Sequence, residues 1–385
     1  MIKHSSYIEL TKSSLKNNLD FIKSNLKDNV KITFVVKGNA YGHGVEQIIP
    51  IAEHYGIDHF STFSADEAYR VSKVCSDSST IMIMGWISDD DLFWAIENEI
   101  EFYVFEVRRL EKTIEKAKQR GKPAKIHLEV ETGMNRSGFK QIDLPIVAGL
   151  INDNKNLLEI KGLCTHYAGA ETIANHVRVL HQHKKFLRLN RWFKEKGIYP
   201  EKLHTASSAA TITYPKFQLD MVRVGILIYG LWPSQETLIH HLSRKQNKVN
   251  PLKRIISWKS TVMSIKYVKE GEFIGYGTTF LAHEDMRIAV IPIGYAHGYS
   301  RALSNSGRVL IKGSRLSVIR IVNMNMIIVD ITGFPEIEID DEVVLIGTQG
   351  EHTISIATFG EISNQLNYEL LSRLPLDIPR HVIDE

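Results

Sequence analysis

Long apolar runs are missing from this 385-residue chain. No stretch approaches the ~18 apolar residues of a transmembrane helix. The opening, MIKHSSYIELTKSS, carries no apolar core of a secretory signal. The expectation is a soluble, cytoplasmic protein. Cysteine is scarce: Cys75 and Cys164 stand far apart and offer neither a disulfide framework nor a zinc-ligand spacing. Both read as small buried apolar residues, and no metal site is expected. No sign of charge dominates either. The net charge of +3 is too small and too evenly spread to argue for nucleic acid or membrane partners. No G-x-G-x-x-G opens a helix after a strand, which argues against a dinucleotide fold. Tandem repeats and low-complexity tracts are absent as well.

What remains is an ordinary globular composition, 43% hydrophobic and 24% charged, on a chain long enough for two domains. Short apolar strands alternate with amphipathic helices through residue 240. The pattern places strands at 31–37, 59–64, 81–85, 101–105, 125–131, 158–166, 201–207 and 221–227, with helices such as 64–74 and 107–120 between them. Eight strand–helix units in ~200 residues suit an α/β fold, a (β/α)8 TIM-type barrel over 11–240. A doubly wound open sheet is the structural alternative. The polar, basic stretch 240–252 reads as a linker. Long strands follow at 256–268, 286–294, 308–320, 324–332 and 343–347, with one helix over 355–374. These predict a mainly-β C-terminal domain, 241–385, to which a strand within 1–10 is added. Thr11 is placed to cap the helix carrying Leu15, Leu19, Ile22 and Leu26.

Chemistry concentrates where barrel strands end, the face on which barrel enzymes build their sites. Lys37 closes the apolar run Ile32–Val36. It either snorkels to water or serves as a desolvated amine of lowered pKa, able to attack a carbonyl. Glycines flank Tyr41 and follow His43, so backbone there can approach a ligand closely. Glu129 and Glu131 end the fifth strand and His166 the sixth. His204 lies in the seventh, before Ser207 and Ser208. Arg223, Gly225 and Ile226 belong to the eighth. Small hydroxyls and glycine amides after strands seven and eight suggest a phosphorylated cofactor, because barrels commonly bind phosphate there.

VVKGNAYGHG (35–44) resembles the pyridoxal-phosphate lysine motif of the alanine racemases. The resemblance extends over nearly the whole chain, through HLEVETGMNRSGF (127–139), LCTHYAGA (163–170), HTASSAA (204–210), VRVGILIYG (222–230), GYGTTF (275–280), GYAHGYSRAL (294–303), IVNMNMIIVD (321–330) and QLNYELLSRLPLDIPR (365–380). It implies pyridoxal 5'-phosphate as cofactor, with Lys37 as the Schiff-base lysine and Tyr41, Ser208 and Tyr368 at the phosphate. Gly225 and Ile226 join that cofactor-binding set. His166 is implied near the cofactor and Arg223 opposite the pyridine nitrogen. Arg136, Tyr295 and Met324 fall on the substrate side. Lys37 and Tyr276 become two catalytic bases on opposite faces of a planar intermediate. Tyr276 is implied to reach across from the partner subunit of a head-to-tail homodimer. Without the resemblance, Tyr295 and Tyr368 read equally well as core aromatics.

Two positions depart from the family pattern. Glu129 stands where many members carry a carbamylated lysine, and it is expected to pair with Arg136 directly or through one water. The alternative is a solvent-facing glutamate. Met324-Asn325 replaces the usual Met-Asp. Racemisation of a small amino acid, most simply alanine, is the leading expectation. The alternatives are a racemase of serine or lysine, a barrel-type decarboxylase, or a non-catalytic cofactor carrier. Arg223 with Tyr276 favours a racemase over a decarboxylase. The second domain and Tyr276 argue against a carrier.

Overall fold

The computed structural model of the chain describes residues 4–276, 281–363 and 367–384, without the side chains of 360–363 and 367. Residues 277–280 of GYGTTF and 364–366 of the C-terminal helical stretch lie outside the described residues. Contacts divide the chain into two units. One holds Leu15–Gly38 and Ile48–Lys253, the other Met1–Ser14, Asn39–Gln47 and Arg254–Glu385.

After β1 (Ser6–Thr11) and the helix Lys12–Ser24, the first unit runs through eight strands. They are β2 (Lys31–Val35), β3 (His59–Thr62), β4 (Thr80–Ile83), β5 (Glu101–Val104), β6 (Ala124–Glu129), β7 (Leu158–Cys164), β8 (Lys202–His204) and β9 (Met221–Val224). All their ladders are parallel, in the order β8-β7-β6-β5-β4-β3-β2-β9. A parallel bridge between Ser207 and Arg223 draws the two ends together, with Arg223 N–H donating to Ala206 O at 2.9 Å. This is a nearly closed (β/α)8 barrel. Its helices form because apolar residues recur at helical spacing. Helix Val107–Arg120 buries Leu110, Thr113 and Ala117, and stops at Gly121, whose φ of 66° suits a left-handed C-terminal cap. The strands end earlier than hydropathy suggests, so Lys37 opens the short helix Lys37–Tyr41 just beyond β2, and Glu131 and His166 sit in the loops just beyond β6 and β7.

The second unit is mainly β. Its strands are β10 (Ile256–Thr261), β11 (Ser264–Val268), β12 (Met286–Ile291), β13 (Arg308–Ile311), β14 (Ser314–Ile319), β15 (Ile327–Asp330), β16 (Glu342–Gln349), β17 (His352–Ile354) and β18 (Arg380–Ile383). The sheet order is β11-β12-β15-β14-β13-β16-β10-β1-β18, with β17 on β16. β1 pairs antiparallel with β10 and parallel with β18. Two runs that read as single strands are broken. Residues 308–320 form a hairpin, because Lys312 and Gly313 take φ of 47° and 78° and make the tight turn a right-twisted hairpin prefers. Residues 256–268 split at Val262-Met263, and the two halves pair with different neighbours. Helix Gln235–Ser243 occupies the start of the expected linker. Among the described residues no helix is long and apolar enough to cross a membrane.

The least expected local structure follows Lys37. Gly38, Asn39, Ala40 and Tyr41 have φ of 61°, 54°, 54° and 51°, and Gly42 has 79°. The short helix Lys37–Tyr41 is therefore left-handed. That handedness costs a non-glycine residue roughly 1–2 kcal/mol, so three such residues in a row need compensation. His43 supplies part of it. Its fully buried ring faces the carbonyls of Ala40 and Tyr41 from Nδ1 at 3.0 Å each. Burial pushes its pKa down to about 4, so the ring stays neutral. Gly44 N–H donates to Asn39 O at 3.0 Å, and Arg380 Nε to Gly42 O at 3.0 Å. A Cβ on Gly42 would stand 1.9 Å from Leu371 O, whereas one on Gly121 would meet nothing within 4 Å. Gly42→Ala should therefore lower the unfolding free energy by ~3 kcal/mol or more, and Gly121→Ala by only ~1 kcal/mol. Denaturation midpoints with matched slopes measure both. Equal losses would show that backbone handedness alone, and not the contact with Leu371, demands glycine at 42.

Candidate active site

Lys37 stands exposed at the end of the barrel where the parallel strands terminate. Its amine is nevertheless hemmed by protein. Burial first, and the Arg136 guanidinium second, lower its pKa, while the Glu67 carboxylate opposes them. Glu67 also fixes the backbone there. It accepts from Gly38 N–H at 2.6 Å and from Phe63 N–H at 2.8 Å. An amine of lowered pKa is deprotonated more readily and so serves better as nucleophile and base.

Arg223, on β9, is 6% exposed and heavily committed. Nη1 donates to His204 Nδ1 and to His204 O, both at 2.9 Å. Nη2 donates to Thr165 O at 2.9 Å and Thr205 O at 3.2 Å, and faces His166 Nδ1 at 3.4 Å. Because arginine only donates, both histidines present an accepting Nδ1 and carry their proton on Nε2. The direction then propagates. His204 Nε2–H donates to His127 Nδ1 at 2.8 Å, and His127 Nε2–H to Glu101 Oε2 at 2.7 Å. His59 Nε2–H reaches the same oxygen at 3.3 Å, and Thr33 Oγ1 meets His59 Nδ1 at 2.8 Å. Burial lowers the pKa of His204 well below its ordinary value and that of His59 as well. Burial would raise the Glu101 carboxyl, but the His127 and His59 donors outweigh it and hold it below the usual carboxylate range. The barrel interior thus contains one directed chain from a guanidinium to a buried anion. Gly162 makes room for it, since a Cβ there would lie 2.3 Å from His127 Nδ1.

Burial first, then Arg223, Arg136 and Lys37, push His166 down to about 3. It is neutral at any physiological pH. With Nδ1 turned to Arg223, its Nε2–H is the outward donor.

The loops after β8 and β9 bring hydroxyls and backbone amides together, groups that could hold an anion. Ser208 opens the helix Ser208–Thr213, so the first-turn amides have no acceptor within that helix. Ser207 precedes it without a side-chain capping bond, and Ser208 Oγ accepts from Gly225 N–H at 3.0 Å. Ile226 lies beside Gly225 and is buried. Hydroxyls, amides and a helix start suit a phosphate group. Among the described residues Nε–H is the guanidinium donor of Arg223 without a bond, and it suits a ring-nitrogen acceptor. The residues present therefore fit a phosphorylated pyridine cofactor.

Glu129 departs from the solvent-facing reading. It is 5% exposed, so it is not solvent-facing. Among the described residues no direct Glu129–Arg136 ion pair forms. Burial raises its carboxyl pKa, opposed by the Ser137 hydroxyl and by the Arg223 and Arg136 charges. Arg136 itself is exposed. Glu131 holds the turn between them, accepting from Gly133 N–H and, at 2.8 Å, from Asn135 N–H.

The remaining candidates belong to the other unit. Tyr41 and Tyr368 pack edge to face, with ring centroids 6.0 Å apart. Tyr295 N–H donates to Asn323 O and Ala296 N–H to Met324 O, both at 3.0 Å, so Tyr295 and Met324 share one backbone frame. This close approach requires Gly294, whose added Cβ would lie 2.1 Å from Asn323 O. Tyr276 is 76% exposed. Sequence reasoning missed Glu67, His59, His127 and Glu101. Alternation on β5 and β6 marks Glu101 and His127 as possible inward groups, but only strand register reveals that they meet.

Two family matches cover most of the chain. Residues 10–233 match the alanine racemase N-terminal domain and residues 255–382 the alanine racemase C-terminal domain. An alanine racemase of Leptospira interrogans is 34% identical over 386 residues, covering 99% of this chain and 96% of that protein. One from Methanococcus maripaludis is 32% identical, covering 99% of each. Among solved structures, the alanine racemase from Bacillus anthracis with bound L-Ala-P superposes with a TM-score of 0.90 at 30% identity, over 100% of this chain and 96% of that one. The alanine racemase of Clostridium difficile 630 gives 0.89 at 27% identity, over 100% and 97%. Both domains are matched in order and at full length, so the chain belongs to the alanine racemase family and is an isomerase acting on an amino acid.

Proposed function

We propose that this protein interconverts L- and D-alanine with pyridoxal 5'-phosphate, using Lys37 and Tyr276 as bases on opposite faces of Cα. One observation carries the reading. An amine of lowered pKa, an anion cradle and a guanidinium with an uncommitted Nε–H meet at one end of one barrel. When bound, the cofactor supplies an electron sink for negative charge developing at Cα.

The chain's own residues do the rest. Ser208, the first-turn amides after it and the Gly225–Ile226 backbone hold the phosphate, joined by Tyr41 and Tyr368. Arg223 would offer its Nε–H to the cofactor's ring nitrogen, and because arginine does not give up its proton it would leave that nitrogen unprotonated and the electron sink weak. Arg136, exposed at the loop after β6, takes the substrate carboxylate, and Tyr295 and Met324 bound the small side chain. Lys37 removes or returns the α-proton at Nζ on one face. Tyr276 does so at its phenol oxygen on the other. A free tyrosine titrates near ~10, so it needs help. The neutral Nε2–H of His166 offers a donor that stabilises the phenolate. Tyr276 is 76% exposed on its own chain, which suits a base that acts in a partner subunit of a homodimer. Glu129 places a buried carboxylate between Arg223 and Arg136, where the family pattern has a modified lysine.

Purified protein should absorb in the visible, and borohydride should fix a pyridoxyl label on Lys37, located by peptide mass. A label on any other lysine would remove Lys37 from this role.

Tyr276→Phe should keep the cofactor and lose turnover by ~10²–10⁴. Lys37→Ala and Tyr276→Phe subunits, each inactive, should recover activity on mixing, because one site of the heterodimer keeps both bases. Confirmed heterodimers without activity would place both bases in one chain.

Glu101→Gln removes the anion at the far end of the Arg223 chain. Hydrogen bonds to charged groups contribute roughly 1.5–3 kcal/mol, so turnover should fall by ~10-fold and the cofactor band should shift, with the cofactor retained. Gly162→Ala, which wedges the two imidazoles apart, should act in the same direction. Unchanged spectra and rates in both variants would show that the chain does not reach the chemistry.

A further inference from the structure

Arg320 follows β14 with a left-handed backbone, φ 74°. A long side chain adopts that conformation when its surroundings impose it. The imposing contacts are visible. Arg320 N–H donates to Asn305 Oδ1 at 2.6 Å, and Asn305 N–H returns a bond to Arg320 O at 3.2 Å. Asn305 is itself left-handed, φ 60°. The pair aims a guanidinium that is buried with its residue at 3% exposure.

Its targets are informative. Nε donates to Ile274 O at 2.6 Å, and Nη2 to Tyr276 O at 3.4 Å. These carbonyls bracket Gly275, left-handed at φ 67°, whose added Cβ would meet Ile328 Cδ1 at 3.3 Å and Arg320 Cβ at 4.0 Å. Ile274 is 2% exposed and packs with Ala282, Met286, Ile288 and Ile328. Among the described residues the Tyr276 side chain makes no such anchor, being 76% exposed. Its direction is therefore set by its backbone, and that backbone is held by a planar fork.

We infer that Arg320 is the positioning residue of Tyr276: its guanidinium clamps the carbonyls of Ile274 and Tyr276 and so fixes where the phenol oxygen can reach. The inference rests on Tyr276 being a base of the reaction. Arg320 touches neither substrate nor cofactor in this role. It acts through the backbone of the turn.

The test compares Arg320→Gly, Arg320→Lys and Tyr276→Phe in D2O with each enantiomer of alanine. Glycine accepts the left-handed backbone, so Arg320→Gly removes the fork without adding strain. It should retain the visible cofactor band and the borohydride label on Lys37, while kcat for inversion falls 10- to 100-fold and KM changes little. The distinguishing readout is exchange without inversion. On its own face, Lys37 takes the α-proton onto Nζ and returns a solvent-derived deuteron to the same carbon. That exchange needs no tyrosine. The ratio of exchange to inversion should therefore rise for one enantiomer in Arg320→Gly, as in Tyr276→Phe. Arg320→Lys keeps the charge but not the fork and should fall between Arg320→Gly and the unaltered protein. A normal ratio in Arg320→Gly beside an inactive Tyr276→Phe overturns the positioning role alone. Exchange and inversion falling together with loss of the label assigns Arg320 to folding and also overturns it. Normal inversion by Tyr276→Phe overturns the assignment of Tyr276 and takes this inference with it.

Discussion

A guanidinium has five donors and no acceptor, and that one-sidedness orders the interior of the barrel. Arg223 faces His204 and His166 with N–H groups, so each imidazole must offer an unprotonated Nδ1. His204 must then donate to His127, and His127 to Glu101. No imidazole in this chain can flip its tautomer without leaving two donors or two acceptors facing each other in a dry interior, where unmet polar groups are costly. The Glu101 anion balances the Arg223 cation across the barrel, with imidazole rings between them as polarisable links. A barrel core filled with titratable groups is thereby as specified as an apolar one. The absence of a side chain at Gly162 is part of that specification.

The left-handed turn after Lys37 solves a different problem. A strand that ends at Val35 delivers Lys37 to the end of the barrel. A right-handed continuation would carry the following residues along another path. Instead Gly38 to Gly42 wind the other way, and the buried His43 ring and the half-buried Arg380 side chain hold the resulting carbonyls. Strain of this kind persists where surrounding contacts over-determine it, and here it adjoins the lysine proposed as one base. A second strained point, Arg320 with Asn305, adjoins Tyr276. Two of the left-handed backbone stretches thus adjoin the two residues proposed as bases.

Glu129 shows what a family substitution can mean physically. A carboxylate there needs no modification to be anionic, but its stem is shorter than a lysine's. The structure keeps it buried between Ser137, Arg223 and Arg136 and lets Glu131 tie the adjacent turn. Both guanidinium charges pull the Glu129 carboxyl pKa down, against the effect of burial.

Much was legible before any coordinates. Strand–helix alternation to residue 240 implied the barrel because periodicity is local, and the strand ends then named Lys37, His166, Ser208 and Arg223. The all-β texture beyond it was equally plain, since long β-branched runs cannot be mistaken for helices. Boundaries inside those runs were not plain. Lys312-Gly313 reverses the chain through two positive φ angles, and hydropathy does not register handedness. The Glu101–His127–His204–Arg223 chain was hidden for a different reason. Its members lie on four strands, and a hydrogen bond between side chains depends on register across the sheet, which no single strand carries. Hydropathy also did not show that Glu131, rather than Glu129, takes the Gly133 and Asn135 N–H groups, nor that Glu129 and Arg136 form no direct ion pair among the described residues. The amino-acid sequence by itself determined which elements form and which chemical groups are present, because propensity and hydrophobic period act between near neighbours. Tertiary structure alone decided which of those groups touch and which way each hydrogen bond points, because those depend on residues distant in the chain.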